Sequence, residues 1–232
     1  MKIAFCGDSF CASIGKDPFP SYPYLIAKEF DAKILCSGQN GGCLFYSYER
    51  MMENIEDADY IIFCVTDSSR LANRYNISVG AQNLQRDGDM NILVDSLLLS
   101  DGEEKKTEMN YLGRKTAERF KEGICLYYET LMSLEFHEVA HRGILREIDD
   151  VIKQHKKKCI FLKNFEESFE GYEIQNALYG NLALDRFIPP TVSVNHLNEK
   201  SNRNLANIII DVIREGDFTP REIDMNNRGL TL

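Results

Sequence analysis

Three short apolar runs in the first third of the chain limit its possible folds more than any other feature. They span residues 2–6, 33–37 and 59–66, and each is followed by a turn rich in Gly, Ser, Asp or Asn. Short, continuously apolar runs are typical of strands that are buried on both faces of a parallel sheet. A fourth run, at 159–162, follows a long helical region. Because such strands alternate with helices, the sequence predicts an α/β protein with a mostly parallel sheet covered on both faces.

The length of 232 residues fits one α/β domain that carries an insertion. We predict a single domain over residues 1–215, with an irregular and helical insertion at 71–158 and a polar C-terminal tail at 216–232. Within the insertion, apolar spacing predicts two helices between Gly113 and Lys157, with a break near Ser133. Other helices are predicted to begin at Pro23 and to span 44–54 and 199–214.

Composition bears on where the chain acts and on what it binds. The formal net charge of −9 disfavours contact with a phosphate backbone. No apolar run approaches the roughly 18 residues that span a bilayer, and the first residues do not resemble a signal peptide. The seven cysteines are scattered and lack zinc-ribbon spacing, which is typical of reduced thiols. We therefore expect a cytoplasmic protein that binds neither nucleic acid nor membrane.

Polar residues follow three of the predicted strands and form the candidate site. Gly7-Asp8-Ser9 follows the first run, Gly41-Gly42 follows the second and Thr66-Asp67 follows the third. The carboxyl ends of parallel strands lie along one edge of a sheet, where open α/β proteins bind ligands. Taken alone, Ser9 is most simply the cap of the next helix. Activated by the distant His196, which precedes the last helix, its hydroxyl would instead be a nucleophile.

These segments together resemble the sequence blocks of the SGNH (GDSL-like) hydrolases. The resemblance includes Asn195-His196 ahead of the C-terminal helix, covers nearly the whole chain except the middle insertion, and extends to some phage-borne proteins. It implies a three-layer, flavodoxin-like SGNH-hydrolase fold and a serine esterase or deacylase without a cofactor. The implied substrate is a small-molecule ester or an O-acylated carbohydrate. In this family the equivalent of Ser9 attacks the ester and the equivalent of His196 is the base.

The resemblance also implies an oxyanion hole. Its donors would be the backbone N–H of Ser9, that of Gly42 (Gly41 if the turn slips by one residue) and the side chain of Thr66. The family has an asparagine where this chain has Thr66. The threonine hydroxyl donates only one hydrogen bond and reaches less far than the side-chain amide of asparagine. Loss of one oxyanion donor typically lowers turnover by a factor of about 10²–10³.

A second departure from the family concerns the residue that orients the histidine. Ser193 stands three residues before His196, where the family has an aspartate. Because Ser193 has no negative charge, a backbone carbonyl or a carboxylate such as Asp185 would orient the imidazole, giving a Ser-His dyad or an atypical triad. These departures leave two alternatives open: a catalytically degenerate binding protein on the same fold, or an acyltransferase that passes the acyl group to another alcohol.

Two arginines after the third strand are further candidates for the site. Arg70 and Arg74 are placed to clamp a carboxylate or sulfate on the substrate, or else to lie solvated on the surface. The full set of supporting or substrate-binding candidates is Asp8, Gly41, Asp67, Arg70, Arg74, Ser193 and Asn195.

Other residue types in the chain support competing chemistries. The run from His137 to His141 matches the H-E-x-x-H zinc pattern, but the positions beyond it lack the glycine and third histidine of the longer motif. We interpret it as an amphipathic helix with solvated histidines and predict no metal site. Cys11 and Cys43 are alternative nucleophiles near the site, and we interpret both as apolar filler.

Overall fold

The structure is a computed structural model. It describes residues 1–13, 19–39, 42–72, 119, 122–124, 126–163, 177–179, 186–187, 196–218, 221–224 and 229–231. The described strands are β1 (Lys2–Cys6), β2 (Lys33–Cys36), β3 (Tyr60–Val65), β4 (Lys158–Lys163), β5 (Ala177–Tyr179), β6 (Arg186–Phe187), β7 (His196–Leu197), β8 (Arg221–Asp224) and β9 (Gly229–Thr231). The described α-helices are α1 (Tyr22–Glu29), α2 (Leu44–Asn54), α3 (Leu134–Gln154) and α4 (Glu199–Glu215), and two short helical turns lie at Ser9–Cys11 and Tyr127–Leu131.

A seven-stranded sheet with the order β2-β1-β3-β4-β5-β8-β9 forms the centre of the molecule. In this order, the strands β2, β1, β3, β4, β5 and β8 run parallel to one another, and β9 runs antiparallel to β8 at the edge. The strands β6 and β7 form a separate antiparallel pair. The register places Ile3 beside Tyr60, and Tyr60 beside Lys158. The predicted α/β class with a parallel sheet is therefore confirmed.

Helices cover both faces of this sheet, so the protein has three layers. Alternate residues of β1 point to opposite faces: Ile3 and Phe5 lie in one apolar cluster, and Ala4 and Cys6 lie in the other. The first cluster includes the buried faces of α1 and α4, and the second includes those of α2 and α3. Both faces of β1 are thus apolar because both are covered, which explains the continuous apolar run in the sequence.

Local sequence signals account for where the helices begin and end. Pro23 lies in the first turn of α1, where a missing N–H costs nothing. Ser133 caps α3 by accepting the N–H of Phe136, at the break predicted from the sequence. Asn198 caps α4 in the same manner, and Gly216 ends that helix in the left-handed conformation, which glycine adopts without strain.

The C-terminal segment contributes to the sheet. The predicted polar tail supplies β8 and β9, which pair with each other and extend the sheet beyond β5. The irregular part of the predicted insertion, residues 73–112, lies outside the described residues. Among the helices that the structure describes, none combines the length and apolar character needed to cross a membrane.

Candidate functional site

The first strand ends in a turn that is held by a buried carboxylate. After β1, Ser9–Cys11 form a single 3₁₀ turn, and Asp8 caps it because its Oδ1 accepts the N–H of Phe10 at 3.0 Å. Asp8 is fully buried. The expectation that Ser9 itself caps a helix is therefore wrong. The cap is Asp8, and the hydroxyl of Ser9 is not needed for this role.

Ser9, the second residue of this turn sequence Asp8-Ser9-Phe10, has few hydrogen-bond contacts. The residue is half-buried, and its carbonyl accepts the N–H of Ala12 at 3.3 Å. Within the described residues, neither its hydroxyl nor its own N–H has a hydrogen-bond partner. This is the arrangement expected if the hydroxyl reacts and the N–H stabilises an oxyanion.

The turn after β2 packs directly onto the turn after β1. Gly38 N–H donates to Cys11 O, and Gln39 N–H donates to Gly7 O, each at 3.0 Å. A Cβ atom at position 38 would lie only 2.3 Å from the backbone oxygen of Asp8, so only glycine fits there. Glycine at this position is required for the close approach of the two turns.

The N–H of Gly42 is already used in a turn. It donates to Gln39 O at 2.9 Å, which competes with the oxyanion contact that the family resemblance implies for this group. Gly41, the alternative if the turn slips by one residue, lies outside the described residues.

Thr66, at the end of β3, directs its hydroxyl toward Asp8. Its Oγ1 lies 3.3 Å from Asp8 Oδ2, and the residue is fully buried. A carboxylate only accepts, so the single hydroxyl proton of Thr66 is donated to Asp8. This contact competes with the predicted oxyanion role. The neighbouring Asp67 caps its own turn, since its Oδ1 accepts the N–H of Ser69 at 2.7 Å.

Arg70 joins the three strand ends. Its Nη1 lies 3.0 Å from Asp8 Oδ2 and also donates to the carbonyl oxygen of Gly42 at 3.0 Å. The Arg70 side chain is 17% exposed, so the predicted alternative of a solvated surface arginine is wrong. The guanidinium holds the first and second turns against the third, and only a small part of it faces solvent.

The two histidines of α3 hold the turn after β3 through its backbone. His141 Nε2 lies 2.9 Å from Thr66 O, and His137 Nδ1 lies 3.1 Å from Ser68 O. Because carbonyl oxygens only accept hydrogen bonds, the nitrogen that carries the proton in each contact is Nε2 in His141 and Nδ1 in His137. The other nitrogen of His137 then accepts from the hydroxyl of Tyr127 at 2.5 Å.

His141 is buried, which contradicts the prediction of solvated histidines. Burial lowers the pKa of His141, so the ring is neutral at pH 7 and donates from Nε2. Among the described residues, no group of three or more His, Cys, Asp or Glu side chains is placed to hold a metal ion. The i, i+4 histidine spacing was visible in the sequence, but nothing in it indicated that the rings meet backbone carbonyls near residue 66.

A tyrosine beside these histidines also supports the third turn. Tyr128 donates its hydroxyl to Ser69 O at 2.8 Å, and burial raises the pKa of Tyr128 well above its ordinary value. No feature of the sequence pointed to Tyr128 as part of this site.

The segment that contains His196 lies next to the Ser9 turn. Cα atoms of β7 (His196–Leu197) come within 8 Å of those of Ser9–Cys11, although the two segments are far apart in sequence. Leu197 is buried in the same apolar cluster as Phe10, which fixes the start of α4 beside this turn. The side chain of His196 lies outside the described part of the chain, as do Arg74, Asp185, Ser193 and Asn195.

The two cysteines near the site have unfavourable surroundings for nucleophiles. Cys11 is fully buried, with its Sγ 3.8 Å from Ile62 O. Cys43 is half-buried, and burial raises the pKa of its thiol. Since the thiolate is the reactive form, neither environment favours attack on a substrate.

Comparisons with protein-family models, with curated proteins and with solved structures find no match to this chain. Its function is therefore inferred from its own residues and their geometry.

Proposed function

We propose that the protein is an SGNH-like serine hydrolase, an esterase or deacylase, that acts on a small ester or an O-acylated carbohydrate. The observation that carries the proposal is the environment of the Ser9 side chain. Ser9 is half-buried at the carboxyl end of a central parallel strand, and its hydroxyl has no hydrogen-bond partner among the described residues. Open α/β sheets bind ligands at this edge.

The architecture gives further support. The strand order β2-β1-β3-β4-β5 is the order of flavodoxin-like sheets, and helices cover both faces. Three strand ends meet through Asp8, Gly38 and Arg70, and the segment carrying His196 lies against the same turn. These features suit an SGNH-like arrangement, in which residues distant in sequence act together above one sheet edge.

In the proposed reaction, His196 accepts the proton of Ser9 while Ser9 Oγ attacks the ester carbonyl carbon. The tetrahedral intermediate places its negative charge near the N–H of Ser9. His196 then returns the proton to the departing alcohol, leaving an acyl-enzyme. A water molecule, deprotonated by His196, attacks the acyl-enzyme, and the acid leaves as Ser9 regains its proton.

One observation favours a second candidate function. Two of the three proposed oxyanion donors have other acceptors, since Thr66 donates to Asp8 and the N–H of Gly42 donates to Gln39 O. A site with one remaining donor would turn over slowly. The second candidate is therefore a binding protein that keeps this fold and has lost catalysis. An acyltransferase would share the Ser9 chemistry and differ only in the alcohol that accepts the acyl group.

Labelling with a fluorophosphonate probe tests the proposal. We expect the folded protein to form a covalent adduct on the tryptic peptide that contains Ser9. Ser9→Ala should abolish the adduct, whereas Ser13→Ala, which removes the hydroxyl of another half-buried serine in the same loop, should retain it. An unlabelled Ser9 in folded protein would count against an activated nucleophile and favour the binding protein.

A panel of acetyl esters separates hydrolysis from the alternatives. A hydrolase releases acetate from at least one ester, and the release is lost in both Ser9→Ala and His196→Gln. An acyltransferase labels with the probe but releases product much faster when an acceptor alcohol is added. A protein that neither labels nor hydrolyses would contradict the proposed enzyme.

A further inference from the structure

Two cysteines at the ends of neighbouring strands bring their sulfurs together. Cys6 is the last residue of β1, and Cys36 is the last residue of the adjacent β2. Their Sγ atoms are 3.7 Å apart, a hydrogen-bonding contact between thiols. A disulfide requires the sulfurs to approach to about 2.05 Å. In the β1–β2 ladder Cys36 lies opposite Ala4, so the two sulfurs meet diagonally across the strands.

The two thiols have different surroundings. Cys6 is completely buried, whereas Cys36 is only half-buried and lies on β2, which is an edge strand. The hydrogen bond from Cys6 and the nearby guanidinium of Arg50 lower the pKa of Cys36. The contact with Cys36 and burial raise the pKa of Cys6. Of these two thiols, Cys36 is therefore the one that ionises first and the less buried one.

We propose that Cys36 and Cys6 form an oxidation site that reacts with hydroperoxides and closes into a disulfide between β1 and β2. In the first step, the thiolate of Cys36 attacks one oxygen of the hydroperoxide, the O–O bond breaks, and a sulfenic acid and an alkoxide or hydroxide form. In the second step, the Cys6 sulfur attacks the sulfenic sulfur, and the S–OH oxygen leaves as water with the Cys6 proton. Both sulfurs are oxidised, and one hydroperoxide receives the two electrons.

The other described thiols lack this combination of contact and access. Cys11, Cys64 and Cys159 are completely buried. Cys43 is half-buried, but burial raises the pKa of its thiol. Reactivity toward an oxidant follows both thiolate character and exposure, so Cys36 should react first among the described cysteines.

The disulfide would constrain β1, the strand that leads into the candidate site. Cys6 directly precedes Gly7, whose carbonyl accepts the N–H of Gln39 in the turn after β2. A covalent bond between positions 6 and 36 would therefore staple β2 to β1 immediately before the Ser9 turn. It requires no hydrolase activity, so the oxidation site and the proposed function can fail independently.

Peptide mapping after oxidation tests the site. The reduced full-length protein is treated with hydrogen peroxide, free thiols are alkylated at low pH, and the chain is cleaved with trypsin. Trypsin places Cys6 and Cys11 on the peptide 3–16, and Cys36 and Cys43 on the peptide 34–50. We expect a cross-linked pair of these peptides, lighter than their summed mass by about 2 Da for the two hydrogens lost.

Single variants identify the bonded cysteines. Cys36→Ser and Cys6→Ser should each abolish the cross-link, whereas Cys11→Ser and Cys43→Ser should keep it. Circular dichroism and the Tm of each reduced variant verify folding. If the buried Cys6→Ser variant does not fold, the Cys36→Ser variant and the fragment ions of the wild-type cross-link identify the two bonded cysteines. The proposal would be overturned by a cross-link that survives in folded Cys36→Ser. It would also be overturned if, in folded wild-type protein, Cys36 stays free or is oxidised to a sulfinic acid without forming the cross-link.

Discussion

Arg70 Nη1 lies 3.0 Å from Oδ2 of the fully buried Asp8, in the turn that carries Ser9. The same nitrogen donates to the carbonyl oxygen of Gly42. One guanidinium therefore neutralises the buried carboxylate and binds the turn after β2. This ion pair stabilises the site, because Asp8 also caps the turn that carries Ser9 by accepting the N–H of Phe10.

Removing the arginine should be costly for stability. Arg70→Met leaves the Asp8 carboxylate buried without its cation, and we expect the free energy of unfolding to fall by about 3 kcal/mol. Urea denaturation measures this loss. Arg203→Met is the matched control, because Arg203 forms an exposed i, i+4 pair with Glu199 and should cost less than about 1 kcal/mol. Equal losses in the two variants would show that the Asp8 contact contributes little.

Thr66→Val separates two roles for the threonine hydroxyl. Valine has nearly the same shape, so the variant removes mainly the donation to Asp8, at a cost of about 1–2 kcal/mol in the free energy of unfolding. Because that proton is engaged by Asp8, the rate of fluorophosphonate labelling of Ser9 in folded protein should change by less than about tenfold. If the Thr66 hydroxyl were a true oxyanion donor, its loss would slow the reaction by a factor of about 10²–10³. Thr66→Ser, which keeps the hydroxyl, is the control, and a hundredfold slower reaction in folded Thr66→Val alone would restore the oxyanion role.

The layered fold was largely predictable because burial on two faces leaves a clear signature in short strands. The bounds of β1 and α2 agree with those expected from the apolar runs and spacing, and Ser133 marks the start of α3 as expected. The strands β8 and β9 were not predicted. They are short and partly polar, and their pairing with a sheet edge depends on backbone hydrogen bonds that carry no side-chain pattern.

The site was predictable only in its location. Parallel strands bring their carboxyl ends to one edge, so Asp8, Ser9 and Thr66 were expected to be neighbours. Their partners were not predictable, because helical spacing tells which residues share a face but not which backbone groups that face will meet. His141, for example, binds the carbonyl of a residue 75 positions earlier. The direction of the Thr66 hydroxyl likewise depends on the buried charge of Asp8.

Gly38→Ala should be strongly destabilising, because the new methyl group would meet backbone atoms that side-chain rotation cannot move. Its Cβ would lie 2.3 Å from Asp8 O and 2.8 Å from the carbonyl carbon of Cys11, and we expect a loss of at least about 2 kcal/mol in the free energy of unfolding. Gly143→Ala is the matched control on the exposed face of α3, where, among the described residues, no atom beyond the local helix backbone lies within 4 Å of the new Cβ. That variant should gain about 0.5–1 kcal/mol from helix propensity. Similar denaturation midpoints for the two variants would contradict the tight packing of the two turns.

The buried His141 should make the stability of the protein depend on pH. Burial lowers its pKa below the ordinary value of 6.5, with a smaller opposing effect from the Thr66 carbonyl and Asp67 and a further lowering by Arg142. Just below pH 6.5 the unfolded chain therefore binds a proton that the folded chain does not. The contribution of His141 to the free energy of unfolding should be complete above this pH and should fall on acidification, by at most about 1.4 kcal/mol per pH unit for one proton.

Urea denaturation between pH 8 and pH 5 measures this dependence for the wild type and for His141→Gln, whose amide can still donate to Thr66 O but does not titrate. We expect a shallower decline below pH 6.5 in His141→Gln. His155→Gln is the control, because His155 lies at the far end of α3 and pairs with the exposed Glu56. It should preserve the contribution of His141, since the ring of His141 and its contact with Thr66 are unchanged. If the wild type and His141→Gln decline equally, the neutral His141 contact with the turn after β3 does not contribute to this pH dependence.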